Sequence, residues 1–189
     1  MKRIFVIEGL DRTGKDTLID GIEQKCGYYQ HIHFSKPKKL KAYDNIASIE
    51  NIPAGQESTY IYQYQSFLNA MLLINGGARI IFNRSWIGEA VYSPLYRNFS
   101  GDYVYNLEKN INDISAIRLI LLVEDFEKSY HFVDDGQSLG PAEKRQQEQK
   151  LFIEAFKKSN IVDKRIIEVT APDGSFRSKE SILFDALKD

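Results

Sequence analysis

The sequence predicts an α/β fold in which a parallel β-sheet carries helices on both faces. Five short apolar runs, rich in β-branched residues, alternate with stretches in which apolar residues recur at helical spacing. The chain has 189 residues, a length that suits one domain with a sizeable core. No internal repeat or low-complexity linker interrupts it. We therefore expect a single domain over residues 1–189.

The predicted elements follow one another in a regular order. The apolar runs predict strands at 4–7, 31–34, 79–83, 116–123 and 165–170. Helices are expected at 14–22, 40–50, 56–75, 139–159 and 179–187. The helix at 56–75 is long and ends at Gly76 and Gly77, which act as a stop signal. A break at 51–55, which contains Pro53 and Gly55, separates it from the helix before it.

Composition excludes several classes of protein. Hydrophobic residues make up 43% of the chain and charged residues 27%, which is typical of a folded globular protein. The net charge of −1 provides no general basic field for nucleic acid, so a phosphorylated ligand would need a local cluster of cations. Cys26 is the only cysteine, which excludes an internal disulfide and fits a reducing compartment. Because no apolar stretch of about 18 residues occurs, we expect a cytoplasmic protein without a signal peptide or membrane span.

The first turn has the spacing of a phosphate-binding loop. Gly9–Lys15 reads G-x-x-x-x-G-K and lies between the first predicted strand and the first helix. Glycines allow several backbone N–H groups to converge on a phosphate, and the helix dipole favours the negative charge. Lys15 can then reach the β- and γ-phosphates as a mobile point charge. An accidental turn is the alternative, but strand, turn and helix occur in the order that the motif requires. The loop therefore predicts binding of a nucleoside triphosphate.

Asp16 follows Lys15 where Ser or Thr is expected. Its carboxylate and the hydroxyl of Thr17 are both oxygen ligands that suit Mg²⁺. Alternatively, Asp16 only occupies the first helical turn, where the helix dipole favours an acidic residue. The sequence leaves these two interpretations open.

Arg84 comes directly after the third predicted strand. In open α/β sheets the ligand crevice lies at the carboxyl ends of the strands. A guanidinium there can bind a second phosphate in bidentate fashion. Arg97 follows thirteen residues later. For both arginines the alternative role is a surface salt bridge.

The helix at 56–75 carries an aromatic and amide series, namely Tyr60, Tyr62, Gln63, Tyr64 and Phe67. Aromatic faces stack on bases, and a glutamine amide can donate to or accept from a base edge. Tyr60 and Gln63 are spaced to act together, although packing in the core is the alternative for each of these residues.

A polar insert at 134–140 precedes the helix at 139–159. Basic residues beside a mobile insert, here Lys144 and Arg145, can close over the transferring phosphates and exclude water. A solvated charged helix is the alternative.

These features together resemble thymidylate kinases. The Gly9–Lys15 loop, the Asn83–Arg84 pair and the predicted lid carry the resemblance. Residues 88–97 also match the G-E-x-V-Y-x-x-x-Y-R stretch of short thymidylate-kinase-like deoxynucleoside monophosphate kinases of bacteriophages. The resemblance covers nearly the whole chain. It implies a P-loop NTPase-type five-stranded parallel sheet of order 2-3-1-4-5, helices on both faces and a mobile lid at about 134–146. It also implies Mg-ATP as donor, a nucleoside monophosphate as acceptor, a homodimer, and the host cytoplasm if the protein is viral.

The resemblance gives roles to individual residues. Asp11 resembles the loop acid that binds the 3′-hydroxyl of the acceptor. Arg12 resembles a loop arginine that contacts the transferring phosphate in one branch of thymidylate kinases. Arg84 resembles the arginine that holds the acceptor phosphate. Lys36 lies near a position where relatives place another acceptor-binding base.

The sequence departs from the family pattern at three points. Asn83 stands where an Asp usually helps to organise the metal through water, and we infer that Asp16 supplies this carboxylate from the facing loop. The base-reading arginine has no obvious counterpart, and Gln63 falls closest to it. Asp16 and Thr17 follow the loop lysine in place of Ser/Thr-Thr; adenylate kinases, with G-K-G-T, indicate that the second position can suffice.

We therefore expect transfer of the γ-phosphoryl group of Mg-ATP to a deoxynucleoside 5′-monophosphate, with dTMP giving dTDP as the best candidate. The expected ATP-binding residues are Gly9, Arg12, Thr13, Gly14, Lys15, Asp16, Thr17 and Ala171, with Asp16 and Thr17 also binding the metal. The expected acceptor-binding residues are Asp11, Lys36, Tyr60, Gln63, Arg84, Glu89, Tyr92 and Arg97. The expected catalytic residues are Arg12, Lys15, Arg84 and Arg145. The rivals are a deoxynucleoside kinase, a nucleic-acid-handling ATPase and a GTPase-like binding module, although the chain lacks the guanine-reading N-K-x-D motif.

Overall fold

The computed structural model of the chain describes residues 2–39, 41, 46–129 and 142–188. These residues form a five-stranded sheet of order β2-β3-β1-β4-β5. The strands are β1 (Ile4–Gly9), β2 (Gln30–His33), β3 (Ile80–Asn83), β4 (Ile117–Val123) and β5 (Asp163–Glu168). Every pairing is parallel. The predicted α/β class and the predicted strand order are confirmed.

Six α-helices in the described part of the chain surround this sheet. They are α1 (Lys15–Cys26), α2 (Glu57–Asn75), α3 (Trp86–Tyr96), α4 (Tyr103–Glu108), α5 (Ala142–Lys158) and α6 (Lys179–Leu187). Alternating side chains of β1 point to opposite faces of the sheet. Ile4 and Val6 pack against α2, α3, α4 and α5, whereas Phe5 and Ile7 pack against α1 and α6. Among the described helices, none combines the length and the apolar character needed to cross a bilayer.

The strand register brings three segments that carry predicted site residues or their neighbours to one edge. Ile7 of β1 pairs with Asn83 at the end of β3, and Asn83 in turn pairs with His33 at the end of β2. Because the strands are parallel, the loop after β1 and the residues after β3 leave the sheet at the same edge.

Two helices lie where the sequence predicted no element. Helix α3 begins directly after Ser85, whose side chain accepts a hydrogen bond from the backbone N–H of Ile87 at 3.1 Å and so caps the helix. Helix α4 follows one loop later.

The predicted helix at 40–50 is wrong over residues 46–50. Residues 46–49 have no helical structure, and the Ile52 N–H closes a turn on the Ile49 carbonyl at 3.0 Å. This turn leads the chain into Pro53, which cannot continue a helix. Residues 40, 42–45 and most of the predicted lid, from 134 to 141, lie outside the described residues.

Candidate functional site

The turn between β1 and α1 has the backbone geometry of an anion-binding loop. Gly9 has φ 145° and Gly14 has φ 82°, and both are conformations that favour glycine. A Cβ at Gly9 would lie 2.7 Å from the Leu122 carbonyl oxygen and 2.8 Å from the Thr13 hydroxyl. A side chain at Gly9 would therefore push the loop away from β4. The N–H groups in the first turn of a helix have no partner within that helix and can bind a phosphate.

Lys15 folds back over this loop. Its Nζ donates to the carbonyl oxygens of Gly9 at 3.0 Å and Leu10 at 2.6 Å, and the residue is 8% exposed. Burial, together with the nearby charge of Arg84, lowers the pKa of Lys15 to about 8. The ammonium is thus a buried donor whose partners are oxygens. A phosphate oxygen is an acceptor of the same kind with a full negative charge.

A cavity of about 340 Å³ opens in front of the loop. It is lined by Asp11, Arg12, Gly14, Lys15, Asp16, Thr17, His33, Asn83 and Arg84. Most of the residues predicted from the loop and from the end of β3 therefore share one space. His33 is an addition that sequence reasoning missed, because its place beside Asn83 depends on the pairing of β2 with β3.

Asp16 and Asn83 contact each other across the cavity. Asn83 Nδ2 donates to Asp16 Oδ1 at 2.6 Å. Asn83 Oδ1 is buried and accepts no hydrogen bond from the residues that the structure describes. The Asn83 side chain therefore holds one oxygen of Asp16 in a fixed direction at the mouth of the phosphate loop.

The oxygens at this point fit Mg²⁺. The carboxylate of Asp16 and the hydroxyl of Thr17 are hard donors on neighbouring residues of α1. Within residues 2–39, 41, 46–129 and 142–188, no group of three or more His, Cys, Asp or Glu side chains could hold a metal. Magnesium at a phosphate site needs only one or two protein ligands, since phosphates and waters complete its shell. The donor set matches that requirement.

Arg84 is held at the loop by three contacts. It has φ 65°, and its backbone N–H donates to the Ile7 carbonyl at 3.0 Å. Its Nη2 forms an ion pair with the Asp11 carboxylate, and its Nη1 donates to the Tyr92 hydroxyl at 3.0 Å. The Tyr92 hydroxyl donates in turn to Glu148 of α5 at 2.8 Å. Burial raises the pKa of both Tyr92 and Glu148. Asp11 and Tyr92 thus hold the guanidinium from two sides, and Nη2 is directed at the phosphate loop.

Glu8 is a buried acid that sequence reasoning missed. It is 1% exposed at the end of β1, and its Oε1 accepts from the Ser85 hydroxyl at 2.6 Å. Its Oε2 is buried and has no hydrogen-bond partner among the described residues. Burial raises the pKa of Glu8 to about 7, although Ser85, Arg84 and Lys15 act in the opposite direction. The signal in the sequence was a lone carboxylate within an apolar run, directly before the first glycine.

A second polar cluster lies between α2, α3 and α4. Its centre is Glu89, which is 2% exposed and accepts hydrogen bonds from four side chains. The donors are Ser93 Oγ at 2.6 Å, Tyr103 Oη at 3.1 Å, Gln63 Nε2 at 3.4 Å and Arg97 Nη2. The predicted acceptor residues Gln63, Glu89 and Arg97 are therefore brought together in one buried network.

The aromatic series divides between this cluster and the core. Tyr60 is partly buried, and its ring lies 5.8 Å from that of Tyr64 and 5.0 Å from that of Tyr103. Phe67 is fully buried in the core between α2 and the sheet. Core packing is therefore the structural role of Phe67, whereas Tyr60 retains an accessible part.

Three other predicted residues have different surroundings. Lys36 is exposed and is not among the described residues that line the cavity. Arg145 forms an ion pair with the buried Glu124. The Ala171 N–H donates to the Ser175 carbonyl at 2.8 Å, and the turn that this closes brings the Phe176 ring to 3.1 Å from the position of a Cβ on Gly14. Of the three, only Ala171 lies in a segment that reaches the phosphate loop.

Comparison with known proteins shows the fold. No protein-family model matches the chain, and no curated protein does. The chain is similar to the crystal structure of YorR protein from Bacillus subtilis in complex with phosphorylated GDP, with a TM-score of 0.56, 15% identity, and 87% of this chain and 85% of that chain covered. It is also similar to thymidylate kinase from Candida albicans, with a TM-score of 0.52, 18% identity, and 89% and 84% covered. The chain therefore shares the fold of these two structures.

Proposed function

We propose that this protein transfers the γ-phosphoryl group of Mg-ATP to a deoxynucleoside 5′-monophosphate, with dTMP as the best candidate acceptor. The observation that carries this proposal is the position of Arg84. Its guanidinium lines the same cavity as Lys15 and is already paired with an anion, the Asp11 carboxylate. A second phosphate bound there would face the triphosphate across one edge of the sheet.

The donor side follows from the phosphate loop. The N–H groups at the start of α1 and the ammonium of Lys15 would bind the β- and γ-phosphates. Asp16 and Thr17 would hold Mg²⁺, which when bound neutralises charge on the β- and γ-oxygens. Asn83 would orient Asp16 through the 2.6 Å hydrogen bond.

The acceptor side follows from Arg84. A monophosphate dianion carries more charge than a carboxylate, and it would replace Asp11 on the guanidinium. Tyr92 and Glu148 would keep the guanidinium oriented during this exchange, since both lie behind it. The freed Asp11 would then be available for the sugar hydroxyl of the acceptor.

Catalysis would consist mainly of positioning and charge neutralisation, because phosphoryl transfer demands little covalent chemistry from a protein. Arg12 lines the cavity next to Lys15 and would contact the transferring group. Arg145 would take part only after exchanging Glu124 for a phosphate.

A deoxynucleoside kinase is the second candidate, and Glu8 favours it. A hydroxyl acceptor must lose its proton to a base during transfer. Glu8 lies beside the loop with one oxygen unpartnered among the described residues, and burial raises its pKa to about 7, near the value that suits a base at neutral pH. Arg84 argues against this candidate, since an uncharged acceptor needs no second cationic clamp.

Steady-state production of ADP from ATP tests the proposal. The acceptors would be a panel of deoxynucleosides and their 5′-monophosphates. We expect turnover with monophosphates only, and Arg84→Gln should raise the KM for the monophosphate at least tenfold, about the loss of one charge-assisted hydrogen bond.

Arg79→Gln is the matched control. Arg79 directly precedes β3, whereas Arg84 directly follows that strand. Arg79 is exposed, and its guanidinium donates to the Cys26 carbonyl at 2.9 Å. Its substitution should leave the KM unchanged. Turnover of nucleosides but not of monophosphates would replace the proposal with the second candidate.

A further inference from the structure

Two buried carboxyl groups lie behind the guanidinium of Arg84. Glu8 is 1% exposed, and its Oε1 accepts a hydrogen bond from the Ser85 hydroxyl at 2.6 Å. Glu148 of α5 is 6% exposed and accepts a hydrogen bond from the Tyr92 hydroxyl at 2.8 Å. Ser85 directly follows Arg84 in the chain, and the Tyr92 hydroxyl lies 3.0 Å from Arg84 Nη1. A single residue thus connects each acid to Arg84.

Acids outnumber cations around this guanidinium before any ligand binds. The acids are Glu8, Asp11 and Glu148, and the cations are Arg84 and Lys15. Burial raises the pKa of Glu8 and of Glu148 by more than the two cations lower it. The charge of this group of five residues is therefore set partly by bound protons.

Glu8 is the acid whose surroundings suit a proton. Its Oε1 accepts from Ser85, whereas its Oε2 is buried and has no hydrogen-bond partner among the described residues. Oε2 lies against Gly88 of α3, where a Cβ would be 3.9 Å away and no side chain is present to donate. Burial raises the pKa of Glu8 to about 7. Glu148, by contrast, has the hydrogen bond from Tyr92, which favours its charged form.

A bound phosphate changes the charge balance at Arg84. In the proposed function a monophosphate replaces the Asp11 carboxylate on the guanidinium, and Asp11 stays nearby. The site then gains negative charge without gaining a cation. At the effective dielectric constant of a protein site, one added negative charge about 10 Å away strengthens proton binding by a carboxylate roughly tenfold. A phosphate on Arg84 therefore favours the protonated form of Glu8.

We propose that the acceptor phosphate binds to Arg84 together with one proton from solvent, which Glu8 takes up on Oε2. Glu8 thus determines how the affinity for the acceptor depends on pH, although the phosphate does not touch it. This inference rests on the proposed function, since it takes a monophosphate as the ligand of Arg84. Proton uptake is nevertheless a property of binding and needs no turnover.

The size of the uptake follows from the proton affinity of Glu8. Because its pKa is about 7, about a quarter of the Glu8 side chains are protonated at pH 7.5 before the ligand binds. A tenfold stronger proton affinity raises this to about three quarters, so about half a proton is taken up per bound monophosphate. The ligand therefore binds more tightly at lower pH, by about threefold between pH 8 and pH 7. The free phosphate is almost wholly a dianion in this range, since its second pKa is about 6.

Isothermal titration calorimetry with dTMP at pH 7.5, in the absence of ATP, counts the protons. Titrations in buffers of different ionisation enthalpy, such as HEPES and Tris, give the number of protons taken up from the dependence of the observed enthalpy on the buffer. We expect uptake of about half a proton, and binding about threefold tighter at pH 7 than at pH 8. This measurement on the wild type does not depend on the folding of a variant.

Three variants assign the proton to one residue. Glu8→Gln keeps the shape and an acceptor for Ser85 but cannot titrate. It should take up no proton and, because it mimics the protonated acid, should bind dTMP about fivefold more tightly than the wild type at pH 8. Glu148→Gln keeps an acceptor for Tyr92 and should retain the uptake. Glu154→Gln, at an exposed position of α5, is the control and should match the wild type.

The outcomes distinguish the inference from the proposed function. Uptake that disappears in Glu8→Gln supports the inference, and if dTMP is then not phosphorylated in the presence of ATP, the proposed function alone is overturned. Binding of dTMP without proton uptake, an unchanged uptake in Glu8→Gln, or an uptake that only Glu148→Gln abolishes would overturn the inference alone. Failure of dTMP to bind would overturn both.

Discussion

Replacing Glu8 with Gln isolates the effect of one buried acid on stability. Glu8 is 1% exposed, and burial raises its pKa from 4.5 to about 7, against the opposing effects of Ser85, Arg84 and Lys15. Glutamine has nearly the same shape, and its side-chain oxygen can still accept the hydrogen bond from Ser85. The substitution therefore removes the titration and retains the packing.

The Glu8 carboxylate binds its proton more tightly in the folded than in the unfolded state, and this determines how stability changes with pH. Below pH 4.5 Glu8 is protonated in both the folded and the unfolded state. As the pH rises from 4.5 to 7 the unfolded chain loses this proton first, so the folded state loses stability. Above pH 7 this loss is complete, and the free energy of unfolding is lower by about 3 kcal/mol than it is below pH 4.5.

Lys15 acts in a different pH window. Its pKa is lowered to about 8, mainly by burial, so its charged form disfavours the folded state below pH 8. That penalty is relieved between pH 8 and 10.5. Between pH 5 and 7 Lys15 stays largely protonated in both states, so the change in the stability difference between Glu8→Gln and the wild type in that range reports on Glu8.

Denaturant unfolding at pH 5 and pH 7.5 measures the effect. The free energy of unfolding of Glu8→Gln, relative to the wild type, should increase by about 2 kcal/mol between these two pH values. Glu154→Gln, at an exposed position of α5, is the control and should show no such change. The reasoning is refuted if Glu8→Gln differs from the wild type by the same amount at both pH values.

The remaining predictions concern the phosphate loop. Asp16→Asn should lower kcat far more than Asn83→Ala, because Asp16 supplies the carboxylate and Asn83 only orients it; equal small losses would remove Asp16 from the metal site. Arg12→Ala should lower kcat on the order of 10³-fold with ATP affinity kept, and near-normal turnover would exclude Arg12 from the mechanism. Gly9→Ala should weaken ATP binding and lower the melting temperature, since its Cβ would lie 2.7 Å from the Leu122 carbonyl oxygen; unchanged values of both would show that the loop adapts.

Local patterns predicted the sheet and the strand–turn–helix that contains the Gly9–Lys15 motif. The strands are runs of consecutive apolar residues, and the loop is a motif of fixed spacing between a strand and a helix, so both can be recognised from neighbouring residues alone. Helix α3 could not be recognised in this way. It is buried on most sides and contains Pro94, so it lacks the polar face that reveals an amphipathic helix.

The contacts of the site depend on residues that are distant in the sequence. Glu8 meets Ser85 only because β1 pairs with β3, and its raised pKa results from burial that the sequence does not display. Arg145 pairs with Glu124 across 21 residues, a partner that the local charge pattern did not indicate. Resemblance placed Gln63 closest to the position of a base-reading residue. The direction of its amide became apparent only from its contact with Glu89.

The structure of the protein with a deoxynucleoside monophosphate and a non-hydrolysable ATP analogue bound together tests the central claim most directly. We expect the acceptor phosphate within about 3 Å of the Arg84 guanidinium, facing a triphosphate that lies on the amides before Lys15. An acceptor phosphate bound away from Arg84, or two ligands that do not face each other over the carboxyl edge of the sheet, would contradict it.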